Sequence, residues 1–104
     1  DEEKVDKAIK NLKKAITHNK NFVQAYATLG TAYFMKGLVP EGIKANIEAL
    51  KVQPEFPIAH NNLSVAYLET GEFDKALFHC DKAEELGFEV AQELKDELAP
   101  HRKA

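Results

Sequence analysis

The residues of this chain with reactive side chains are four histidines, one cysteine and a mixed set of carboxylates. His18, His60, His79 and His101 are scattered, and no His-x-x-x-His or Cys–His cluster offers metal-ligand spacing, so no metal site is predicted. Cys80 follows His79 directly, and adjacent residues on a helix point in different directions. Cys80 is therefore expected to pack as a small apolar residue rather than act as a nucleophile. No glycine-rich phosphate loop is present. Glu84-Glu85 and the set Glu93, Asp96 and Glu97 read as solvated helix faces. These features predict no catalytic residue, no metal and no cofactor, and the chain is not expected to be an enzyme. Asn61 and Asn62 each carry both a donor and an acceptor, and Phe34, Met35, Val65 and Leu68 carry apolar area.

The composition narrows the setting. One hundred and four residues with 44% hydrophobic and 30% charged side chains suit one small globular domain. The net charge of −3 has mixed signs, with no basic patch, which disfavours nucleic acid as a partner. No apolar run approaches membrane-spanning length, so no direct membrane insertion is expected. The opening residues Asp1-Glu2-Glu3-Lys4 lack signal-peptide character. A single cysteine forms no internal disulfide and fits a reducing, cytoplasmic compartment.

The elements that position these residues are helices. Val5, Ala8, Ile9, Leu12, Ala15 and Ile16 form one apolar stripe over 4–18. Further helices are predicted over 23–36, 40–52, 57–70, 73–86 and 90–99, the last stopping before Pro100. Gly37, Gly71 and Gly87 end three of them, while Pro40 and Pro57 open two. Connectors this short make consecutive helices antiparallel neighbours. No alternation of the strand kind competes.

The same stretch is written twice. Tyr26–Gly37 and His60–Gly71 are offset by 34 residues, and Ala25/Ala59, Leu29/Leu63, Ala32/Ala66, Tyr33/Tyr67, Gly37/Gly71, Ala49/Ala83 and Glu55/Glu89 coincide over the full period. One step earlier, Val5, Ile9 and Ala15 fall in register with Val39, Ile43 and Ala49. A fixed period of this size means stacked supersecondary units. The chain therefore reads as a single repeat domain: a half repeat over 1–22, repeats over 23–56 and 57–90, and a capping helix over 91–104. Small residues at Gly30/Ser64, Ala8/Gly42/Ala76 and Ala15/Ala49/Ala83 mark close helix crossings, and large ones at Leu29/Leu63 and Tyr33/Tyr67 fill the gaps.

Tyr26…Leu29-Gly30…Tyr33…Gly42…Asn46…Ala49…Pro54, followed by His60…Leu63-Ser64…Tyr67…Ala76…Cys80…Ala83…Phe88, resembles the tetratricopeptide repeat (TPR) pattern over nearly the whole chain. It departs at Gly42, at Asn46 (where Phe is usual) and at Phe88 (where Pro is usual). Gly42 alone implies a helix-propensity loss of roughly 1 kcal/mol. The resemblance implies an all-α solenoid of antiparallel hairpins, about six helices wound as a superhelix. It also implies a non-catalytic, protein-binding scaffold whose concave groove is lined by the first helix of each hairpin. Carried onto this sequence, the groove residues are Gln24, Thr28, Thr31, Phe34 and Met35, with Ala27, in the first repeat. In the second they are Asn61, Asn62, Val65, Leu68 and Glu69, with Ile58, and the last helix adds Gln92, Lys95 and Asp96. The subtype that clamps a C-terminal carboxylate is not expected. Its cation and amide positions fall on Ala27, Thr31, Asn62, Gln92 and Asp96, where only Asn62 fits. An alternative reading is a self-assembling homo-oligomer joined through exposed terminal helix faces, the Val5–Ile9–Leu12–Ile16 surface first among them.

Overall fold

The computed structural model describes residues 1–103. It is all-α, with helices α1 (Glu2–His18), α2 (Val23–Met35), α3 (Val39–Val52), α4 (Pro57–Thr70), α5 (Phe73–Glu85) and α6 (Gln92–Leu98), then a 3-10 turn over Ala99–His101. The chain divides into two compact units, residues 1–54 and a second beginning at Glu55.

Local chemistry sets the ends. α1 begins two residues ahead of the predicted start because the Asp1 carboxylate accepts the Glu3 amide at 3.0 Å, capping the first turn. α4 ends at Gly71, whose φ of 82° is open to glycine without penalty. Beyond it the Glu72 amide reaches back to the Tyr67 carbonyl at 2.9 Å. Gly37 repeats the device at φ 77°, with Leu38 donating to Tyr33 at 2.9 Å. The paired glycines are thus chain-reversal positions. The sixth helix is shorter than the sequence predicts, and Pro100 does not terminate the segment. It sits early in the 3-10 turn, where a missing N–H removes no bond.

In the first unit α2 packs against both α1 and α3. Ala25, Leu29 and Ala32 of α2, with Ala45 and Ala49 of α3, are buried. Lys36 closes the far end of α1, bonding to Asp6 with Glu2 at 3.9 Å, and the Asp6 bond, the largest influence, raises the lysine's pKa. In the second unit α4 packs on α5 around Leu63, Ala66, Ala76, Cys80 and Ala83. Complete burial of a leucine such as Leu63 is worth about 1.5–3 kcal/mol. α6 covers α5 with Leu94 and Leu98. The segment after it is laced down by Arg102, which grips Asp81 through two bonds of 2.6 and 3.1 Å, and by His101, stacked on Phe73 at 3.6 Å.

The hairpins solve one packing problem in two ways. In the first, Asn46 is fully buried and its amide donates to the Gly42 carbonyl of its own helix at 2.9 Å. A Cβ on Gly30 would stand 2.2 Å from that amide nitrogen, so glycine is required opposite it. In the second, Ser64 and Cys80 occupy the equivalent places. The Ser64 hydroxyl donates across the hairpin to the Ala76 carbonyl, which corresponds to that of Gly42, at 2.7 Å. The loss of apolarity expected at Asn46 is met by a satisfied amide. Gly42 also has a steric reason: the Phe34 ring lies over it, 2.3–2.8 Å from where a Cβ would be.

Candidate protein-binding faces

α2 places Gln24, Thr28, Thr31 and Met35 at spacings of three and four, on one face. Its three polar side chains are engaged locally. Gln24 donates to the Thr28 hydroxyl at 3.3 Å, and the Thr31 hydroxyl donates to the Ala27 carbonyl at 3.2 Å. Met35 is 70% exposed, the most accessible large apolar side chain among the described residues. One expectation needs correction. Ala27 is buried, so it lines the hairpin rather than a groove. Phe34 is half-buried with its ring committed to Gly42, because a glycine in the facing helix leaves a hollow that the ring fills.

α4 presents Asn61 and Asn62 half-buried, Val65 at 42% exposure, Leu68 half-buried and Glu69 exposed. Ile58 lies partly exposed one turn earlier. Amide, apolar and acidic groups therefore share this helix surface. On α6, Gln92 donates to Asp96 at 2.8 Å and Lys95 pairs with Glu84 at 3.2 Å. The α6 positions that a carboxylate clamp needs as cation or free amide hold a carboxylate and an amide bonded to it.

The structure joins three of these residues to α1. Thr28, Thr31 and Met35 form one wall of an apolar opening of about 230 Å³ whose other wall is Val5, Ala8 and Leu12. Sequence reading missed Ala8 as part of a surface. The repeat offers the signal, since Ala8 stands where Gly42 and Ala76 are buried. A second opening, about 260 Å³, lies on the tyrosine side of α2, between Tyr26, Leu29 and Tyr33 and the α3 residues Glu41, Ala45 and Glu48.

The titratable residues follow burial. His60, 4% exposed, meets His79 with the Nδ1 atoms 2.9 Å apart. Burial first, then the charges of His60 and Lys75, bring the His79 pKa down to about 4. Cys80 is fully buried, and burial raises its thiol pKa, with Glu84 and Asp81 adding to the effect. Cys80, Asp81 and Glu84 bring ligand atoms within 4.8 Å of one another, but Asp81 is gripped by Arg102 and Glu84 by Lys95. Among the described residues no helix is long and apolar enough to cross a membrane.

Comparison with known proteins agrees with this architecture. A family model described as TPR repeat matches residues 1–37, and one described as tetratricopeptide repeat matches 57–87. The Hsp70-Hsp90 organizing protein 3 of Arabidopsis thaliana is 30% identical over 76 residues, which is 73% of this chain and 14% of that protein. The crystal structure of MamA is similar at TM-score 0.76 and 29% identity, over 90% of this chain and 52% of MamA. The TPR2B domain of yeast Sti1, solved in a pHsp70 complex, has TM-score 0.83 at 21% identity, over 96% of this chain and 86% of that domain, a likeness of fold. The chain thus spans about half of MamA and a small part of the organizing protein. With the 34-residue period, the alternating small and large packing positions and both family models in agreement, the chain belongs to the tetratricopeptide repeat family.

Proposed function

We propose that this domain is a non-catalytic protein–protein interaction module that holds a peptide segment of a partner in the concave groove of its fold and serves as a scaffold. The observation that carries the reading is the α4 face, where Asn61 and Asn62 stand beside exposed Val65 and Glu69 and half-buried Leu68. A peptide backbone needs both donors and acceptors, and asparagine supplies both from one side chain. On α2, Gln24, Thr28, Thr31 and Met35 offer a face of the same kind, and the residues that differ from their α4 counterparts would confer selectivity.

The test is a peptide selected against the intact domain from a random display library. Replacing Asn61 and Asn62 together with alanine is expected to weaken that peptide by about 5- to 100-fold, from two hydrogen bonds of about 0.5–1.5 kcal/mol each. Unchanged affinity with an unchanged circular dichroism spectrum would overturn the groove assignment.

The Sti1 TPR2B domain was solved in a pHsp70 complex, but the reading for this chain is different. Ala27 is buried and Asp96 is an acid bonded to Gln92. Amidating the C-terminus of the selected peptide is therefore expected to leave its affinity within about twofold, since these positions of the described residues hold no cation to receive a terminal carboxylate. A tenfold loss on amidation would contradict this.

A further inference from the structure

The two hairpins differ in what fills one place between their helices. α4 and α5 repeat α2 and α3 at a step of 34 residues, which sets His60 on Tyr26, Leu63 on Leu29, Tyr67 on Tyr33 and His79 on Ala45. In the second hairpin the His79 ring occupies that place. Its Nδ1 meets that of His60 at 2.9 Å, and its ring stacks on Tyr67 with centroids 5.7 Å apart and planes 19° apart. His60 and Tyr67 are only 4% and 7% exposed. In the first hairpin the methyl of Ala45 stands where that ring would be. Tyr26 and Tyr33 are half-buried, and together with buried Leu29 and Ala45 they line the opening of about 260 Å³. The helices on both sides of α2 are present, and Lys13 of α1 stands 5.9 Å from the centroid of the Tyr33 ring. The opening therefore reflects an absent ring rather than an absent helix.

We propose that this opening is a slot for an aromatic side chain of a partner protein, seated where the second hairpin seats His79. The second hairpin shows the fit: a flat ring enters beside the α3-type helix and stacks on the conserved-in-register tyrosine. Aromatic pairs with centroids about 4.5–7 Å apart gain beyond the area they bury, and Tyr33 offers the face that Tyr67 gives to His79. Leu29 and Ala45 add apolar contact. The volume lies below the roughly 300–1,000 Å³ of sites that enclose whole small molecules, which suits a single anchor reaching in from a larger partner. Charge does not choose the occupant. Glu41 and Lys44 bring opposite signs to the rim, and Glu48 is paired with Lys51 at 2.9 Å. The favoured anchor is therefore an uncharged ring, that of tyrosine or phenylalanine. No residue of the slot belongs to the α4 face or to the α2 residues assigned to the groove, so it stands apart from the function proposed above.

The probes are three capped tripeptides, acetyl-glycyl-X-glycinamide with tyrosine, phenylalanine or leucine at X, and the free aromatic p-cresol. Titrated into the isotopically labelled chain, the two aromatic tripeptides are expected to produce ring-current shifts on the methyl groups of Leu29 and Ala45 at millimolar concentration. The leucine tripeptide should bind at least fivefold more weakly. Ala45→His fills the slot and should weaken the aromatic tripeptides at least tenfold. Tyr26→His/Ala45→His gives the same loss in an arrangement that the second hairpin already holds, and circular dichroism checks that both variants stay folded. The Asn61/Asn62 double alanine variant should bind the tripeptides unchanged, which separates the slot from the groove. Absence of these methyl shifts, equal binding of the leucine tripeptide, or shifts that survive in both filled variants would overturn the proposal. So would binding of p-cresol without either aromatic tripeptide, which would assign the slot to a free small molecule. Methyl shifts that follow protein concentration without any probe would also overturn it, assigning the slot to a second copy of the chain, whose Phe78 is 56% exposed.

Discussion

Replacing Gly30 with serine is expected to destabilise the first hairpin by about 2–5 kcal/mol, and adding Asn46→Cys is expected to restore most of the loss. The single change forces a side chain into a site where a Cβ alone would stand 2.2 Å from the Asn46 amide and 3.0 Å from the Gly42 carbonyl. Overpacking of this kind costs about 1–3 kcal/mol. Pushing the buried amide off its Gly42 bond adds about 1–3 kcal/mol for an unsatisfied polar group. The glycine-to-serine gain in helix propensity, a few tenths of a kcal/mol, is too small to offset either. Asn46→Cys alone should also destabilise, by about 1–3 kcal/mol, because it leaves space where the amide stood. The pair together reproduces Ser64 with Cys80, an arrangement the second hairpin already holds with no buried polar atom unsatisfied among the described residues. Urea denaturation of the four proteins gives the coupling energy directly. Additivity within about 0.5 kcal/mol would show that the two solutions are not alternatives.

The same logic governs Gly42. Alanine there improves helix propensity by about 1 kcal/mol, yet its methyl would meet the Phe34 ring. Gly42→Ala is therefore expected to be neutral or destabilising alone. Combined with Phe34→Leu, which copies Leu68 and Ala76 of the second hairpin, it should be stabilising relative to Phe34→Leu alone. Proteins stable enough for the comparison will show it as a shift in urea midpoint. A stabilising Gly42→Ala on the native background would mean that the ring moves freely.

Much of this architecture was legible in the chain because it rests on spacing. Apolar residues at three and four mark the helices, and the 34-residue coincidence marks the hairpins without any knowledge of their packing. The exchange between Asn46 and Ser64 was visible only as two departures from a pattern. Which carbonyl each side chain serves depends on the backbone approach at Gly30, and spacing does not encode that approach. The candidate faces were legible in part. A helical wheel gives Thr28, Thr31 and Met35 one direction, but not the fact that α1 shares a cavity with them. Ala27 was misassigned, and the packing of the Phe34 ring on Gly42 was not visible, because the wheel treats each helix as isolated, whereas burial is set by the size of the residue opposite. The contact between His60 and His79 was hidden for a similar reason, since the first hairpin has Tyr26 and Ala45 at those positions.

That contact makes the second hairpin sensitive to acid, and stability is expected to fall as pH drops from 6.5 toward 4. Two Nδ1 atoms 2.9 Å apart form a hydrogen bond only if one of them carries no proton, so the pair cannot hold two imidazolium ions in this geometry. His60 is almost fully buried, Tyr67 stacks against His79 at 5.7 Å, and Phe78 meets it edge-on at 5.1 Å. Lys75, lying 5.3 Å over the Tyr67 ring, adds positive charge from α5. The His79 pKa is brought to about 4 from an ordinary 6.5. Because the folded value lies below the unfolded one, the unfolded chain binds the proton first. The destabilisation is therefore absent above pH 6.5, grows through the window, and is complete near pH 4. Linkage caps the effect at about 3 kcal/mol, and solvent access to the half-buried ring reduces it to about 1–2 kcal/mol. Carboxylates with lowered pKa values enter only lower in the range. Glu72 is held down mainly by its bond from Lys75 and Asp81 by its bond from Arg102, and each contributes stability that is lost below about 4.5 and 3.8 respectively, their ordinary values. The double variant His60→Tyr/His79→Ala copies Tyr26 and Ala45 of the first hairpin and removes both imidazoles. Urea midpoints at pH 7.5 and 5.0 should differ for the native chain and nearly coincide for the variant. An equal pH dependence in both proteins would assign the acid sensitivity to other groups and leave the histidine pair as packing alone.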